Sequence, residues 1–303
     1  MRMLARLLLP VLVTGLLTAC SGERDEGLPT VKGAYGDKPV VQIAKGTKPG
    51  RKLQTKVLRR GKGPKVRRGD LLVADYLGKN YRSGKVFDNS YDRGVPAAFT
   101  LKNGSGGVIS GWVKALSGVP IGSRVLLVAP PNEGYGKSGN PQAGIKSRDS
   151  LVFVVDLLGA YSTSQALPQS TPEQDLPAQL PVVEGEQDPT ITVPDGAPPP
   201  REPRATVIAT GMGPQVARGR LVVVHYTAVG WDNTPLSSSW QDGPQGVPVG
   251  GQQPSPFDLL IGVPVGSRVV LELPAQTEGD PAKDSVAVVI DVIGQHPEKA
   301  ARQ

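Results

Sequence analysis

The 303-residue chain has one cysteine, two histidines, three tryptophans and four phenylalanines. A single thiol excludes an internal disulfide framework and any multi-thiolate metal site. Two histidines leave no material for a His-rich catalytic metal centre. Long apolar stretches are also missing. The run Leu7–Leu17 has 11 residues, short of the about 20 that a helix needs to cross a hydrocarbon core. Acidic residues are absent from 45–68, which holds 11 Lys and Arg. In their place stand 38 glycines and 30 prolines, too many for a helical protein and without the strict period of collagen. Val- and Leu-rich segments between Gly turns read as short strands. The length allows two ordinary domains, so the chain reads as an exported, loop-rich, mostly β protein.

Residues 1–19 read as an export signal. Arg2 and Arg6 precede the apolar run, which ends in Leu17-Thr18-Ala19-Cys20. That ending resembles the lipobox of bacterial lipoprotein precursors. The resemblance implies cleavage before Cys20, a diacylglycerol on its sulfur, and residence on the extracytoplasmic face of the cell membrane. Two acyl chains give stable anchoring where one does not. Residues 21–30 read as a polar tether, and 20–52 as tether plus lead-in.

Shifting the chain by 150 aligns 39–76 with 189–226 without a gap, and 14 of 38 positions are identical. Gly118–Val125 matches Gly262–Val269 at a shift of 144, and Asp149–Asp156 matches Asp284–Asp291 at 135. A period this long means duplicated domains rather than solenoid units. The boundaries expected are 53–161 for the first domain, 162–203 for a Pro-rich linker and lead-in, and 204–297 for the second. Leu71–Leu77, Arg124–Ala129 and Leu151–Leu158 read as strands. Gly111–Ser117 reads as the helix of copy one: Ser110 as its cap, Gly118 as its stop, Trp112, Val113 and Leu116 on one face. The fold class expected is α+β, each copy a twisted antiparallel sheet (half-barrel) wrapped over a short α-helix.

Six stretches of copy one carry a further likeness: Gly69–Gly78 (GDLLVADYLG), Ser83–Ser90 (SGKVFDNS), Val108–Trp112 (VISGW), Gly118–Gly122 (GVPIG), Pro130–Gly136 (PPNEGYG) and Ser150–Leu158 (SLVFVVDLL). In this order and spacing they resemble the FKBP family of peptidyl-prolyl cis-trans isomerases. The resemblance implies a shallow apolar pocket that takes a proline, needing no cofactor or metal. Trp112 would be its floor. Tyr76, Phe87, Phe99, Val108, Ile109, Ile145 and Phe153 would line it, and Tyr135 and Asp88 would stand at its rim. The Ile109 backbone N–H would donate to a substrate carbonyl, and Arg93 would pair with Asp88. Two departures stand out: Ala97 replaces an aromatic wall residue, and 100–107 is longer than the family's usual segment.

The second copy reads as degenerate. Leu236 and Ser237 stand at the positions of Phe87 and Asp88, and Pro256 stands at that of Trp112. Trp231 and Trp240 read as packing residues before a second binding surface. Residues 31–161 hold 23 basic and 8 acidic side chains, whereas 162–303 hold 8 and 16. The stripe at 45–68 suits an anionic membrane or wall polymer, and export argues against nucleic acid. The function expected is isomerisation of X–Pro bonds in proline-containing exported polypeptides. The alternative is a non-catalytic FKBP-like chaperone or adaptor.

Overall fold

The computed structural model describes residues 27–275 and 284–297. Cys20 and the export signal lie outside the described residues. The first unit begins with a hairpin, β1 (Thr30–Lys32) and β2 (Val40–Gln42). Its sheet comprises β3 (Gln54–Arg59), β4 (Leu71–Asn80), β5 (Val86–Asn89), β6 (Ala97–Thr100), β7 (Arg124–Ala129) and β8 (Leu151–Tyr161). The order is β3-β7-β8-β4-β5 with β6 also on β4, all antiparallel. One helix, α1 (Ser110–Leu116), lies against the inner face.

The pleat sorts side chains to two faces. Leu72, Ala74, Tyr76, Val125, Leu127, Phe153 and Val155 point inward and bury Trp112, Val113 and Leu116 of α1. On the outer face Leu77, Leu126, Val128, Val152 and Val154 pack under Val41 of the hairpin and Tyr81. The hairpin is pinned at a buried ion pair. Arg124 Nε and Nη2 donate to Asp156 at 2.6 and 2.7 Å, and its Nη1 and Nη2 also reach the carbonyls of Gly33 and Asp37. Docking starts earlier than the expected tether allows: the Tyr81 hydroxyl donates to the Gly27 carbonyl at 2.8 Å, and Leu28 packs beside Val41.

The second unit repeats this plan. Its strands are β9 (Ser170–Pro172), the hairpin β10 (Val182–Glu184) and β11 (Thr190–Thr192), β12 (Arg204–Gly211), β13 (Arg220–Gly230), β14 (Pro235–Ser238), β15 (Gln245–Val249), β16 (Arg268–Leu273) and β17 (Val286–His296). Sheet order is β14-β13-β17-β16-β12-β9, with β15 on β13. The segment expected as linker thus supplies the edge strand β9. Register shifts at Val57/Arg59, Val73/Ala74 and Gly78/Lys79 recur at Val207/Ala209, Val223/Val224 and Ala228/Val229. Arg268 and Asp291 repeat the pinning pair, with Arg268 reaching the carbonyls of Gly185 and Glu186.

Two expectations about helices need correction. Ser110 does not cap α1: it is the first helical residue, Ile109 is the N-cap, and the Ser110 hydroxyl donates instead to Glu133 Oε2 at 2.6 Å. Among its described residues the second unit has no matching α-helix. Pro256–Leu260 forms a 3-10 turn, started by a capping box of Ser255 and Asp258. Proline at its first position suits a helix start; the turn ends after Leu260, where Ile261 is extended. Leu260, its one buried residue, takes the core position that Leu116 holds in copy one.

The two units share an apolar cluster built from equivalent residues. Leu71 and Val73 of β4 meet Leu221 and Val223 of β13, with Leu158, Tyr161 and Ile293 around them. The Tyr161 hydroxyl and His296 Nε2, the matching ends of β8 and β17, are 2.9 Å apart. Each of those rings lies over the other copy's glycine. A Cβ on Gly159 would stand 2.5 Å from His296, and one on Gly294 2.2 Å from the Tyr161 hydroxyl. The contact is therefore quasi-symmetric, like a homodimer interface written into one chain.

Candidate functional site

Five elements of copy one converge at one end of α1. Trp112 projects from the helix against the sheet, where its ring meets three others edge-on: Tyr76 of β4 (centroids 5.6 Å, 81°), Phe99 of β6 (5.3 Å, 75°) and Phe153 of β8 (5.5 Å, 89°). Tyr76 also meets Phe99 (5.4 Å, 73°), and Phe87 of β5 meets Phe153 (5.6 Å, 85°). Edge-to-face geometry sets the positive rim of one ring on the negative face of the next, contributing about 0.5–1.5 kcal/mol per pair beyond burial. These rings form the floor and walls of an open cavity of about 300 Å³.

Nine of the ten expected side chains line it: Tyr76, Phe87, Asp88, Phe99, Val108, Ile109, Trp112, Tyr135 and Phe153. Ile145 does not. It is 2% exposed in the core cluster around α1, drawn inward by paired backbone bonds with Asn140 that fold the Pro141–Ala143 turn back. Gly104 and Gly107 complete the lining and were not anticipated as such. The glycine-rich composition of 100–107 was the available signal. Tyr135 stands at the rim, exposed. The Ile109 N–H takes part in no hydrogen bond among the described residues, whereas its carbonyl accepts from Trp112.

At the mouth, the Tyr76 hydroxyl donates to Asp88 Oδ2, Arg93 Nη1 donates to Asp88 Oδ1 at 2.6 Å, and Arg93 Nη2 donates to the Tyr76 oxygen at 3.0 Å. Burial, then the bond to Asp88, pushes the Tyr76 hydroxyl up to about 12. Burial raises the Asp88 carboxyl, but the Tyr76 and Arg93 hydrogen bonds outweigh it and hold it below the usual carboxylate range. At neutral pH the trio is an ionised carboxylate, a neutral phenol and a guanidinium, with no group poised to take or give a proton. The arrangement offers an apolar enclosure, a free backbone donor and a fixed polar rim.

Among the described residues of copy two, Tyr226 keeps the place of Tyr76, but most of the cavity's other parts are replaced. Asp88 lies opposite Gly78 in the ladder and Ser237 lies opposite Ala228, so Ser237 is its structural counterpart. Leu236, at the position of Phe87, is exposed. His225 replaces Asp75 and contacts Ser239 Oγ at 2.9 Å, as Asp75 accepts from Ser90. Trp240 stacks on His225 (4.1 Å, 10°), and Trp231 is buried and donates to the Ala197 carbonyl. Both tryptophans pack.

Residues 63–158 match the model of the FKBP-type peptidyl-prolyl cis-trans isomerase family. An FK506-binding protein of Streptomyces anulatus is 35% identical over 122 residues, which span 40% of this chain and 96% of that protein. The chain belongs to the FKBP-type family. FkpA, the FKBP-type peptidyl-prolyl cis-trans isomerase of Escherichia coli, is 40% identical over 126 residues. That match covers 42% of this chain, and the chain spans 43% of the length of FkpA. The crystal structure of E. coli FkpA aligns at 42% identity over 36% of this chain and 47% of that one, with a TM-score of 0.32. The matched region is copy one, the FKBP unit that holds the cavity.

Proposed function

We propose that this chain is a peptidyl-prolyl cis-trans isomerase acting outside the cytoplasmic membrane on proline-containing exported polypeptides, with catalysis confined to copy one. The observation that carries the reading is the aromatic enclosure around Trp112 with a free N–H at Ile109 on its wall. Rotation about X–Pro is slow because amide resonance sets a barrier of about 18–20 kcal/mol. In the twisted amide that resonance is lost and the carbonyl is less polar. An apolar site therefore favours the twisted form over the planar one, which water solvates better. The Ile109 N–H holds the substrate carbonyl, while Phe87, Phe99 and Trp112 exclude water from the rotating bond. Each 1.36 kcal/mol of such differential binding gives about tenfold in rate.

Lipid attachment at Cys20 would hold the enzyme at the extracytoplasmic face of the membrane. The charged start, the short apolar run and Thr18-Ala19-Cys20 support this reading. The basic stripe 45–68 includes the exposed edge strand β3. It would add affinity for an anionic surface at roughly 1 kcal/mol per well-placed side chain, screened by salt. Intact mass measurement of the mature protein tests the anchor, and an unmodified N-terminus at another residue overturns it. NMR exchange measured on an X–Pro peptide with the chain from Ser21 onward tests catalysis. Acceleration supports the isomerase. A folded chain that leaves the exchange rate unchanged but suppresses client aggregation supports the chaperone or adaptor reading, which the loss of pocket residues in copy two favours.

A further inference from the structure

Among the strands that carry both pocket residues and residues of the shared cluster, β6 is the shortest. β6 is four residues long and pairs only with β4 in its own sheet. Its side chains alternate. Ala97 and Phe99 face the core of copy one, while Ala98 faces the cluster shared with copy two. What meets Ala98 there is Gly246 of β15: a Cβ built on Gly246 would stand 2.6 Å from the Ala98 Cβ. The two residues hold matching places, Ala98 opposite Val73 and Gly246 opposite Val223. The φ of Gly246 is not in the left-handed region, so glycine is needed for the close approach and not for the turn of the chain. The residue after Ala98 is Phe99, whose ring packs edge-on against both Tyr76 and Trp112.

We propose that copy two is a positioning element for the pocket of copy one, with Gly246 seating Ala98 so that β6 holds Phe99 against Trp112. The proposal rests on the isomerase reading and gives the degenerate copy a task in the same reaction. Carbon atoms in contact sit about 3.5–4.0 Å apart, so a methyl at 246 must displace Ala98 by about 1 Å. Close-packed interiors pass such a shift on. β6, four residues long and paired on one edge only, has no second neighbour in its sheet to resist the shift. A 1 Å misplacement at a reacting site lowers rate by up to about a hundredfold.

The test uses the chain from Ser21 onward and three variants: Gly246→Ala, Ala98→Gly and the swap Ala98→Gly/Gly246→Ala. Gly246→Ala crowds the contact, and Ala98→Gly opens it without crowding, so at least one single variant remains foldable. The readouts are kcat/KM on an X–Pro peptide and the Trp112 indole N–H resonance. Gly246→Ala should lower kcat/KM about tenfold or more and Ala98→Gly severalfold, each moving the Trp112 resonance. The swap, which puts one methyl back into the gap, should restore both readouts to within about twofold of the parent. Parent-like values in both single variants overturn the proposal, as does a swap no better than the worse single variant. If the parent itself shows no catalysis, the isomerase reading fails and the Trp112 resonance alone decides the coupling.

Discussion

Truncating Phe87 to alanine separates a pocket wall from a core residue. The Phe87 ring is half-buried, lies across Gly78 with its Cζ 2.6 Å from where a Cβ would be, and meets Phe153 edge-on at 5.6 Å. Full truncation of a buried Phe costs about 3–5 kcal/mol of stability. A half-exposed ring at the mouth should cost less than half of that, leaving the chain folded. Its effect on rate comes from the edge contact, about 0.5–1.5 kcal/mol, together with admission of water beside the rotating amide. A loss of about 1.4–2.7 kcal/mol of transition-state stabilisation corresponds to about 10–100-fold in kcat/KM. Because the wall acts on the twisted form, kcat should fall with kcat/KM and KM should change little. Line-shape or exchange NMR on a short X–Pro peptide, run beside a urea melt, measures both quantities. Full activity in a folded Phe87→Ala chain, or a loss confined to KM, would refute the differential-binding argument.

Three other outcomes follow from the charged and titrating groups. The rate should be nearly flat from pH 6 to 8, since Tyr76 stays protonated up to about 12 and Asp88 is ionised throughout; a bell-shaped kcat/KM profile in that window would mean proton transfer. Asp156→Ala leaves Arg124 buried with its carboxylate removed, both side chains being 3% exposed or less, and should lower stability by about 3–5 kcal/mol in urea; a loss under about 1 kcal/mol would show that the hairpin pin matters little. Burial depresses His296 to about 4, so between its unfolded value near 6.5 and about 4 only the unfolded chain takes up that proton, and stability falls as pH falls. His296→Gln should flatten part of this slope in thermal melts, and an unchanged slope would remove His296 as a cause.

Much of copy one was legible because its signals are local. Trp112, Val113 and Leu116 mark the buried face of α1, Gly118 its end, and the motif order places nine of ten pocket side chains. What the structure places differently depends on contacts that motif spacing does not carry. Ser110 has a capping residue's chemistry, but Glu133, 23 positions on, takes its hydroxyl. Ile145 follows a turn whose closure on Asn140 decides which way it points.

The interface between the copies left a trace that a one-domain reading passes over. A sheet with one solvated face alternates apolar and polar residues, whereas one covered on both faces reads as a continuous apolar run. Leu71-Leu72-Val73-Ala74 and Leu221-Val222-Val223-Val224 are such runs, and all eight residues are 4% exposed or less. Their even members fill each unit's own core, and their odd members fill the shared cluster. Small residues then stand where the units come closest: Gly159 and Gly294 beneath the partner rings, Ala98 against Gly246. An apolar face on each copy, matched in shape to the other, cannot be left to water without cost. Deleting copy two would therefore uncover the odd members of the first run and the outer side of β6, the strand that carries Phe99.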